Sequence, residues 1–157
     1  MKERIAIIDG LRTPVAKAGG KLKNIQAESL GSFILNELAL RVGLDLDMYD
    51  EIIIGNVSQP GHAANIARVI SLKAGFPEAT PAYTVHRNCA SGMESITSAA
   101  EKILAGRGEI YMAGGVESMS NIPLMFNKKM SALFEALFKS RTPLQKIKTL
   151  STFTPSH

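Results

Sequence analysis

Short apolar runs recur along the first 115 residues of the chain, separated by polar and glycine-containing stretches. They are Ile5–Ile8, Ile52–Val57, Ala82–Val85 and Ile110–Ala113, each only four to six residues long. Runs of this length that are rich in β-branched or aromatic residues are typical of strands buried in a sheet. The pattern therefore predicts four strands, and the first is expected to be buried on both faces and closed by Asp9-Gly10.

Between these runs the apolar residues change to a helical spacing. They recur at intervals of three and four from Leu30 to Leu38, and Gly43 ends the pattern. Residues 63–73 and 90–104 also favour helices, each followed by glycine. Strands that alternate with helices require right-handed crossovers, which predicts an α/β fold with a mainly parallel sheet.

The pattern changes after Pro123. Apolar residues from Met130 to Phe138 form one amphipathic face, and Thr142-Pro143 is typical of the cap and first turn of another helix. Because no strand separates these two helices, we expect residues 1–122 to form an incomplete α/β domain. Residues 123–157 are expected to form part of a helical excursion from it.

The net charge of +4 is concentrated at one end of the chain. Residues 127–157 contain six basic residues and one acid, whereas the rest contains twelve basic and thirteen acidic residues. This distribution argues against a general nucleic-acid-binding surface. No apolar run approaches the roughly 20 residues that a membrane-spanning helix needs, and the start does not resemble a secretory signal. The sequence thus predicts a cytoplasmic protein.

Cys89 is the only cysteine, so the chain has no internal disulfide or cysteine cluster, and the three histidines do not have a metal-ligand spacing. Cys89 lies between a predicted strand end and the first turn of a predicted helix. A helix N-terminus favours an anion, and the small residues at 90–92 leave room for a substrate carbonyl. Cys89 is therefore a candidate nucleophile. The alternative is a buried cysteine that acts as a small hydrophobic residue, and His86 is a weaker candidate for its base.

Two glycine-rich segments are candidates for phosphate-binding sites. Residues 113–120 (AGGVESMS) and Ala18–Lys21 match neither of the usual nucleotide-binding glycine patterns. A tight structural turn is the favoured interpretation of residues 113–120, with a phosphate cradle as the alternative.

Several separated motifs together resemble the thiolase family, and they appear in the order in which that family has them. The motifs are Arg12-Thr13-Pro14, Gly55-Asn56-Val57, Asn65-Ile66-Ala67-Arg68, Ala74-Gly75-Phe76-Pro77, Cys89-Ala90-Ser91-Gly92-Met93 and the residues 113–120 segment. The resemblance implies a thiolase-like amino-terminal α/β layer with Cys89 as the acyl-accepting nucleophile. Residues 127–153 are most similar to the loop region of 3-ketoacyl-CoA thiolases that form the β-subunit of fatty-acid oxidation complexes.

The resemblance implies acyl transfer between a cysteine and CoA, with CoA and acyl-CoA as substrates. It implies no permanently bound cofactor or metal. The family's Glu-Ala-Phe-type loop, its Gly-His-Pro histidine and its second cysteine in Cys-x-Gly do not occur in this sequence. We therefore expect the chain to be inactive alone and to leave apolar helix faces exposed. Its expected partners are a second copy, a complementary thiolase half or the subunits of a fatty-acid oxidation complex.

Two other functions remain open from the sequence. The lysines near Leu133 and Phe138 are compatible with an interaction module that contacts a partner subunit or the surface of a membrane. A condensing enzyme of similar architecture would also place a cysteine at a strand–helix junction, although the residues 113–120 segment argues against it.

Overall fold

The computed structural model describes residues 4–153 of the chain. Contacts divide the chain into two compact units, Met1–Pro123 and Leu124–His157. The ends of the two segments expected from the sequence, residues 1–3 and 154–157, lie outside the described residues. The independence of the two segments as folding domains stays a prediction.

A three-stranded parallel sheet forms the centre of the first unit. Its strands are β1 (Glu51–Gly55), β2 (Ala82–Val85) and β3 (Tyr111–Gly115), in the order β2-β1-β3. The register pairs Ile53 of β1 with Tyr83 of β2 and with Ala113 of β3. Three of the four predicted strands therefore form, and the predicted parallel α/β class is confirmed.

Three helices accompany this sheet: α1 (Ala27–Val42), α2 (Ile66–Lys73) and α3 (Ser91–Leu104). α1 ends where predicted, because Gly43 adopts a left-handed conformation with φ 73° and donates its N–H to the Ala39 carbonyl. α2 packs against α1, β1 and β2, while α3 packs against β1 and β3.

The core lies where the central strand meets the first two helices. The core cluster includes Ile52 and Ile54 of β1, Ile66 and Ile70 of α2, and Leu35 of α1. Ile52, Ile66 and Ile70 are fully buried. Each such side chain contributes about 1.5–3 kcal/mol through burial, so this cluster fixes the position of the sheet against α1 and α2.

The prediction of a first strand at Ile5–Ile8 is wrong. Residues 4–17 have no strand pairing, and Ile7 and Ile8 are 82% and 78% exposed. Both edges of the central strand β1 are already occupied by β2 and β3. A β-branched run fits a paired, half-buried surface but does not supply its own partner strand. Ile5–Ile8 instead lies along a cavity between α1, α3 and β3.

The second unit contains α4 (Lys128–Lys139) and α5 (Pro143–Leu150), which pack against each other. α4 begins at Asn127, whose side chain accepts a hydrogen bond from the Met130 N–H. Thr142 and Gln145 form a capping box at the start of α5. Both predicted helices are therefore confirmed. Within residues 4–153, no helix combines the length and the apolar character required to cross a lipid bilayer.

Candidate active site

The parallel sheet brings three loops to one edge. Because β1, β2 and β3 run in the same direction, the segments that follow Gly55, Val85 and Gly115 all leave the sheet at its carboxyl end. These segments carry Asn56, Cys89 and Glu117 respectively. The sheet thereby brings the predicted nucleophile together with two other sequence motifs.

Cys89 lies on a tight turn between β2 and α3. Asn88, the residue before it, has φ 48°, a left-handed conformation that asparagine tolerates better than most residues. The Ala90 N–H donates to the Arg87 carbonyl at 3.0 Å, and the Ser91 N–H donates to the Asn88 carbonyl at 3.0 Å. This turn leaves Cys89 exposed as a free thiol immediately before α3.

The side chain of Ser91 holds the turn together. It is only 4% exposed, and its hydroxyl donates to the Asn88 carbonyl at 2.7 Å and accepts from the Arg87 N–H at 2.8 Å. The Ser91 hydroxyl thus ties the start of α3 to the backbone of Arg87 and Asn88, the two residues that precede Cys89. The sequence does not predict this role, because Ser91 stands in it only as one of three small residues after Cys89.

Glycines let the start of α3 approach the sheet closely. A Cβ atom at Gly55 would overlap the Ser91 backbone, and a Cβ at Gly115 would lie 2.9 Å from the Gly92 Cα. Neither position can therefore accept a side chain unless α3 moves. The close packing of α3 against β1 and β3 fixes where Cys89 emerges from the turn.

Two charged side chains form an ion pair beside the turn, at the beginning of α3. Arg87 forms an ion pair with Glu94 in the first turn of the helix. The hydrogen bond to Glu94 raises the pKa of Arg87 above its ordinary value. Cys89 lies next to the N-terminal end of α3, which is the positive end of the helix dipole. An exposed thiol in this position can act as a nucleophile.

Within residues 4–153, the structure shows neither a buried Cys89 nor a hydrogen bond from His86 to Cys89. Cys89 is exposed, in contrast to the buried position of an inert packing cysteine. His86 is exposed as well, and the hydrogen bonds of the turn run through Ser91 and Asn88. No hydrogen bond joins His86 to Cys89 in the described part of the chain, and a role of His86 as the base stays a prediction.

Glu117 connects the loops that follow β1 and β3. Its carboxylate accepts hydrogen bonds from the Val57 N–H at 2.9 Å, from Asn56 Nδ2 at 3.2 Å and from the Ser58 hydroxyl. Asn56 is 1% exposed and also donates to the Val116 carbonyl at 2.9 Å. Both motifs are recognisable in the sequence, but no sequence pattern predicts that they bind each other.

The tight turn predicted for residues 113–120 forms only at the end of that segment, where the Asn121 N–H donates to the Ser118 carbonyl at 2.9 Å, and not at its glycines. Both glycines belong to β3, which ends at Gly115, and neither has a positive φ. Gly115 serves instead for the close approach of Gly92. A phosphate cradle would need backbone amides beyond the end of β3. The Glu117 carboxylate lies there, and a carboxylate does not favour the binding of an anion.

A cavity of about 700 Å³ lies beside the sheet, away from the Cys89 turn. Apolar side chains of α1, α3 and β3 line much of it, including Leu30, Ile96 and Ile103, and Ile5–Ile8 borders it. The apolar run near the start of the chain borders this cavity and does not join the sheet. We therefore interpret the cavity as an unfilled part of the core. Among residues 4–153, no three His, Cys, Asp or Glu side chains are grouped so that they could hold a metal ion.

Comparison with known families gives one match that covers nearly the whole chain. The model of the family described as "Thiolase, N-terminal domain" matches residues 5–151. A 3-ketoacyl-CoA thiolase of Vibrio cholerae is 38% identical over 152 residues, which is 97% of this chain and 35% of the relative. A probable acetyl-CoA acyltransferase of Staphylococcus aureus is 40% identical over 124 residues, which is 79% of this chain and 32% of the relative.

A solved structure shares the fold. The crystal structure of the Bacillus anthracis acetyl-CoA acetyltransferase superimposes with a TM-score of 0.73 and 40% sequence identity. The match covers 76% of this chain and 30% of that chain. The chain thus spans about a third of the length of the relatives that it matches.

Proposed function

Because the chain belongs to the thiolase amino-terminal-domain family, we propose that Cys89 is the nucleophile of a thiolase reaction with CoA and 3-ketoacyl-CoA as substrates. One observation carries the proposal: the only cysteine is an exposed thiol on a left-handed turn immediately before α3. A thiolate in this position has the dipole of α3 behind it and small residues around it, so that a carbonyl carbon can approach.

The proposed chemistry has two steps. In the first, the Cys89 thiolate attacks the keto carbonyl of 3-ketoacyl-CoA, and the bond between the α and β carbons breaks. The departing acetyl-CoA enolate takes up a proton, and the acyl group stays on Cys89 as a thioester. In the second, the thiolate of another CoA attacks this thioester, which forms acyl-CoA and returns the Cys89 thiolate.

The first step requires groups beyond Cys89. A developing enolate and a tetrahedral oxyanion need hydrogen-bond donors, and the enolate needs an acid. Cys89 is the only cysteine of the sequence, and the family's Gly-His-Pro motif does not occur in it. In the proposed function this chain therefore contributes the acyl-accepting thiol, and complete turnover requires a complementary thiolase part.

The loop region supports a more specific assignment to 3-ketoacyl-CoA thiolases of fatty-acid oxidation. The alignment with the Vibrio cholerae 3-ketoacyl-CoA thiolase extends over 97% of this chain, and that with the Staphylococcus aureus relative over 79%. The difference favours the first class, whose name gives a 3-ketoacyl-CoA as substrate. Self-association, membership of a fatty-acid oxidation complex and a cytoplasmic location remain predictions.

Complementation provides the test. The region of the Vibrio cholerae 3-ketoacyl-CoA thiolase that follows the aligned segment would be mixed with this chain, and cleavage of acetoacetyl-CoA by CoA would be measured. We expect activity from the mixture, none from either piece alone, and none when Cys89→Ser replaces the wild-type chain.

The matched control mixes the same carboxy-terminal region with the relative's own amino-terminal segment. If that pair is active while this chain restores nothing, the proposed function is contradicted. Activity that survives Cys89→Ser would contradict the role assigned to Cys89.

The second unit supports a different candidate function, a contact with an anionic membrane surface. Phe138 and Leu144 are 91% and 77% exposed, beside the exposed lysines of α4 and α5. Apolar side chains next to lysines are typical of helices that lie in a membrane interface. This function does not require catalysis by Cys89.

Sedimentation with vesicles of phosphatidylcholine and phosphatidylserine separates the two candidates. Binding to the surface should weaken with added salt and with Lys→Glu changes at Lys139, Lys146 and Lys148. Sedimentation that ignores both changes would rule out the membrane function and leave the catalytic one unaffected.

A further inference from the structure

The Glu117 carboxylate is an acceptor with three donors from one short segment. The donors are the Asn56 side-chain amide, the Val57 N–H and the Ser58 hydroxyl, which are consecutive in the chain. Glu117 takes part in none of the ion pairs formed by residues 4–153. Its polar partners in this part of the chain are therefore N–H and O–H donors of the loop after β1.

Asn56 extends this contact to all three strand ends. Its backbone N–H donates to the Val85 carbonyl at 3.1 Å, which continues the β1–β2 pairing to the last residue of β2. Its side chain donates to the Val116 carbonyl and accepts from the Gln59 N–H at 2.8 Å. The Val116 N–H in turn donates to the Gly55 carbonyl at 3.0 Å.

The Cys89 turn begins directly at one of these strand ends. Val85 is the last residue of β2, and the turn from His86 to Ala90 is exposed throughout. The turn also contains Asn88 in a left-handed conformation, which a flexible chain populates little. Its shape therefore depends on anchors at its two ends, Val85 on one side and Ser91 on the other.

We infer that Glu117 is a positioning residue for Cys89. By holding Asn56–Ser58, it fixes the end of β2 from which the Cys89 turn departs and so keeps the thiol at the beginning of α3. The inference rests on the proposed role of Cys89 as nucleophile, and it adds a residue about thirty positions away that governs the reactivity of the thiol.

A carboxylate suits this position better than an amide. An ionised carboxylate only accepts hydrogen bonds and has room for about four donors, whereas one end of a glutamine side chain is itself a donor. In Glu117→Gln, the new NH₂ group must face either the Asn56 NH₂ group or the Val57 N–H, and neither of these can accept a hydrogen bond. The substitution preserves the size of the side chain and disrupts the contact.

The test compares Glu117→Gln with Glu109→Gln. Glu109 is exposed and lies just before β3, at the opposite end of the strand, so the control makes the same charge change away from the contact. Because Cys89 is the only cysteine, alkylation by iodoacetamide reports on this thiol alone. We expect Glu117→Gln to slow alkylation about threefold or more, since the loosened turn moves the thiol away from the α3 dipole, and Glu109→Gln to leave the rate unchanged.

Hydrogen exchange distinguishes positioning from a general loss of stability. In Glu117→Gln, peptides that contain residues 85–91 should exchange faster, whereas peptides from α2 should exchange as in the wild type. A uniform increase across the chain would overturn the inference and give Glu117 a merely structural role.

A coupled pair of variants provides the second line of evidence. Ser58→Ala removes one donor to Glu117 and no core side chain, so it keeps the test valid if Glu117→Gln does not fold. We expect Ser58→Ala to slow alkylation, and the double variant to be no slower than Glu117→Gln because both changes break the same contact. Unchanged alkylation rates in folded Glu117→Gln or in Ser58→Ala would overturn the inference. None of these measurements uses CoA, so their outcome is separate from that of the proposed function.

Discussion

At the scale of single residues, the position of Cys89 depends on two glycines that have no Cβ atom and on the hydrogen bonds of the Ser91 hydroxyl. Gly55 and Gly115 have no Cβ, which allows Ser91 and Gly92 to lie directly against the sheet. Ser91 then holds the turn through its hydroxyl. The exposed Cys89 thiol therefore leaves the turn just before the point where α3 meets the strand ends.

Gly55→Ala tests this close approach. The new methyl group would overlap the Ser91 backbone, so we expect a loss of about 1–3 kcal/mol in the free energy of unfolding. Gly114→Ala in the neighbouring strand is the control. Nothing lies within 4 Å of its Cβ position, and its effect should stay within about 1 kcal/mol. Urea denaturation of the two variants makes the comparison, and equal effects would contradict the packing described.

The hydrogen bonds of Asp50 predict how the free energy of unfolding depends on pH. Its carboxylate accepts hydrogen bonds from the Ile110 N–H at 2.9 Å and the Glu109 N–H at 2.7 Å, which lower its pKa below the ordinary value. An unfolded aspartate titrates near pH 4. The stability contributed by ionised Asp50 is therefore present above that pH and is lost as the pH falls through the lower folded pKa.

We accordingly expect Asp50→Asn to lose stability at neutral pH and to show a shallower loss of stability below about pH 4. Urea denaturation across the acid range measures this dependence. Asp47→Asn changes an exposed carboxylate nearby and serves as the control. A decline that is equally steep in Asp50→Asn and in the wild type would show that Asp50 is not the source.

The sequence predicted some of these residues and not others. Cys89 was identifiable because a strand run ends shortly before it and a helical pattern begins shortly after it, both of which are local signals. The contact between Glu117 and Ser58 was not, because it joins residues 59 positions apart and leaves no mark on either pattern. Side-chain partners of this kind are decided by the order of the strands in the sheet.

At the scale of elements, local patterns predicted the helices well and the strands less completely. α1, α4 and α5 carry their own end signals in Gly43, Asn127 and Thr142, which act within a few residues. A strand depends on a partner that may be far away in the sequence, and Ile5–Ile8 has none. This difference explains why an apolar run with a strand-like composition was wrongly predicted to be a strand.

The exposed position of Ile5–Ile8 can be tested by substitution. Ile7 is 82% exposed, so Ile7→Ala should change the free energy of unfolding by no more than about 0.5 kcal/mol. Ile53 in β1 is fully buried, and Ile53→Ala should cost about 2–5 kcal/mol. If the second variant does not fold, Ile53→Val gives a smaller change of the same sign. A large loss at Ile7 would show that this run is buried in solution.

At the scale of the whole molecule, the apolar helix faces expected from the sequence are present. Phe33 and Leu40 of α1 are 67% and 70% exposed, and Met93 of α3 is 63% exposed. Exposed apolar surface of this kind is typical of an interaction site. The complementary thiolase part proposed above would cover such a surface.

The chain itself builds the surroundings of Cys89, the proposed nucleophile. It does so with α3, the left-handed Asn88 and the three strand ends, all of which lie in the first unit. A folded chain should therefore form a thioester even where it cannot complete a catalytic cycle.

The most direct test is the intact mass of the purified chain after incubation with acetyl-CoA, with Cys89→Ser as the control. We predict one added acetyl group on the wild type, removed by excess CoA, and none on Cys89→Ser. An unmodified mass in a chain that is folded by circular dichroism, or an equal adduct on Cys89→Ser, would contradict the assignment of Cys89 as the acyl-accepting nucleophile.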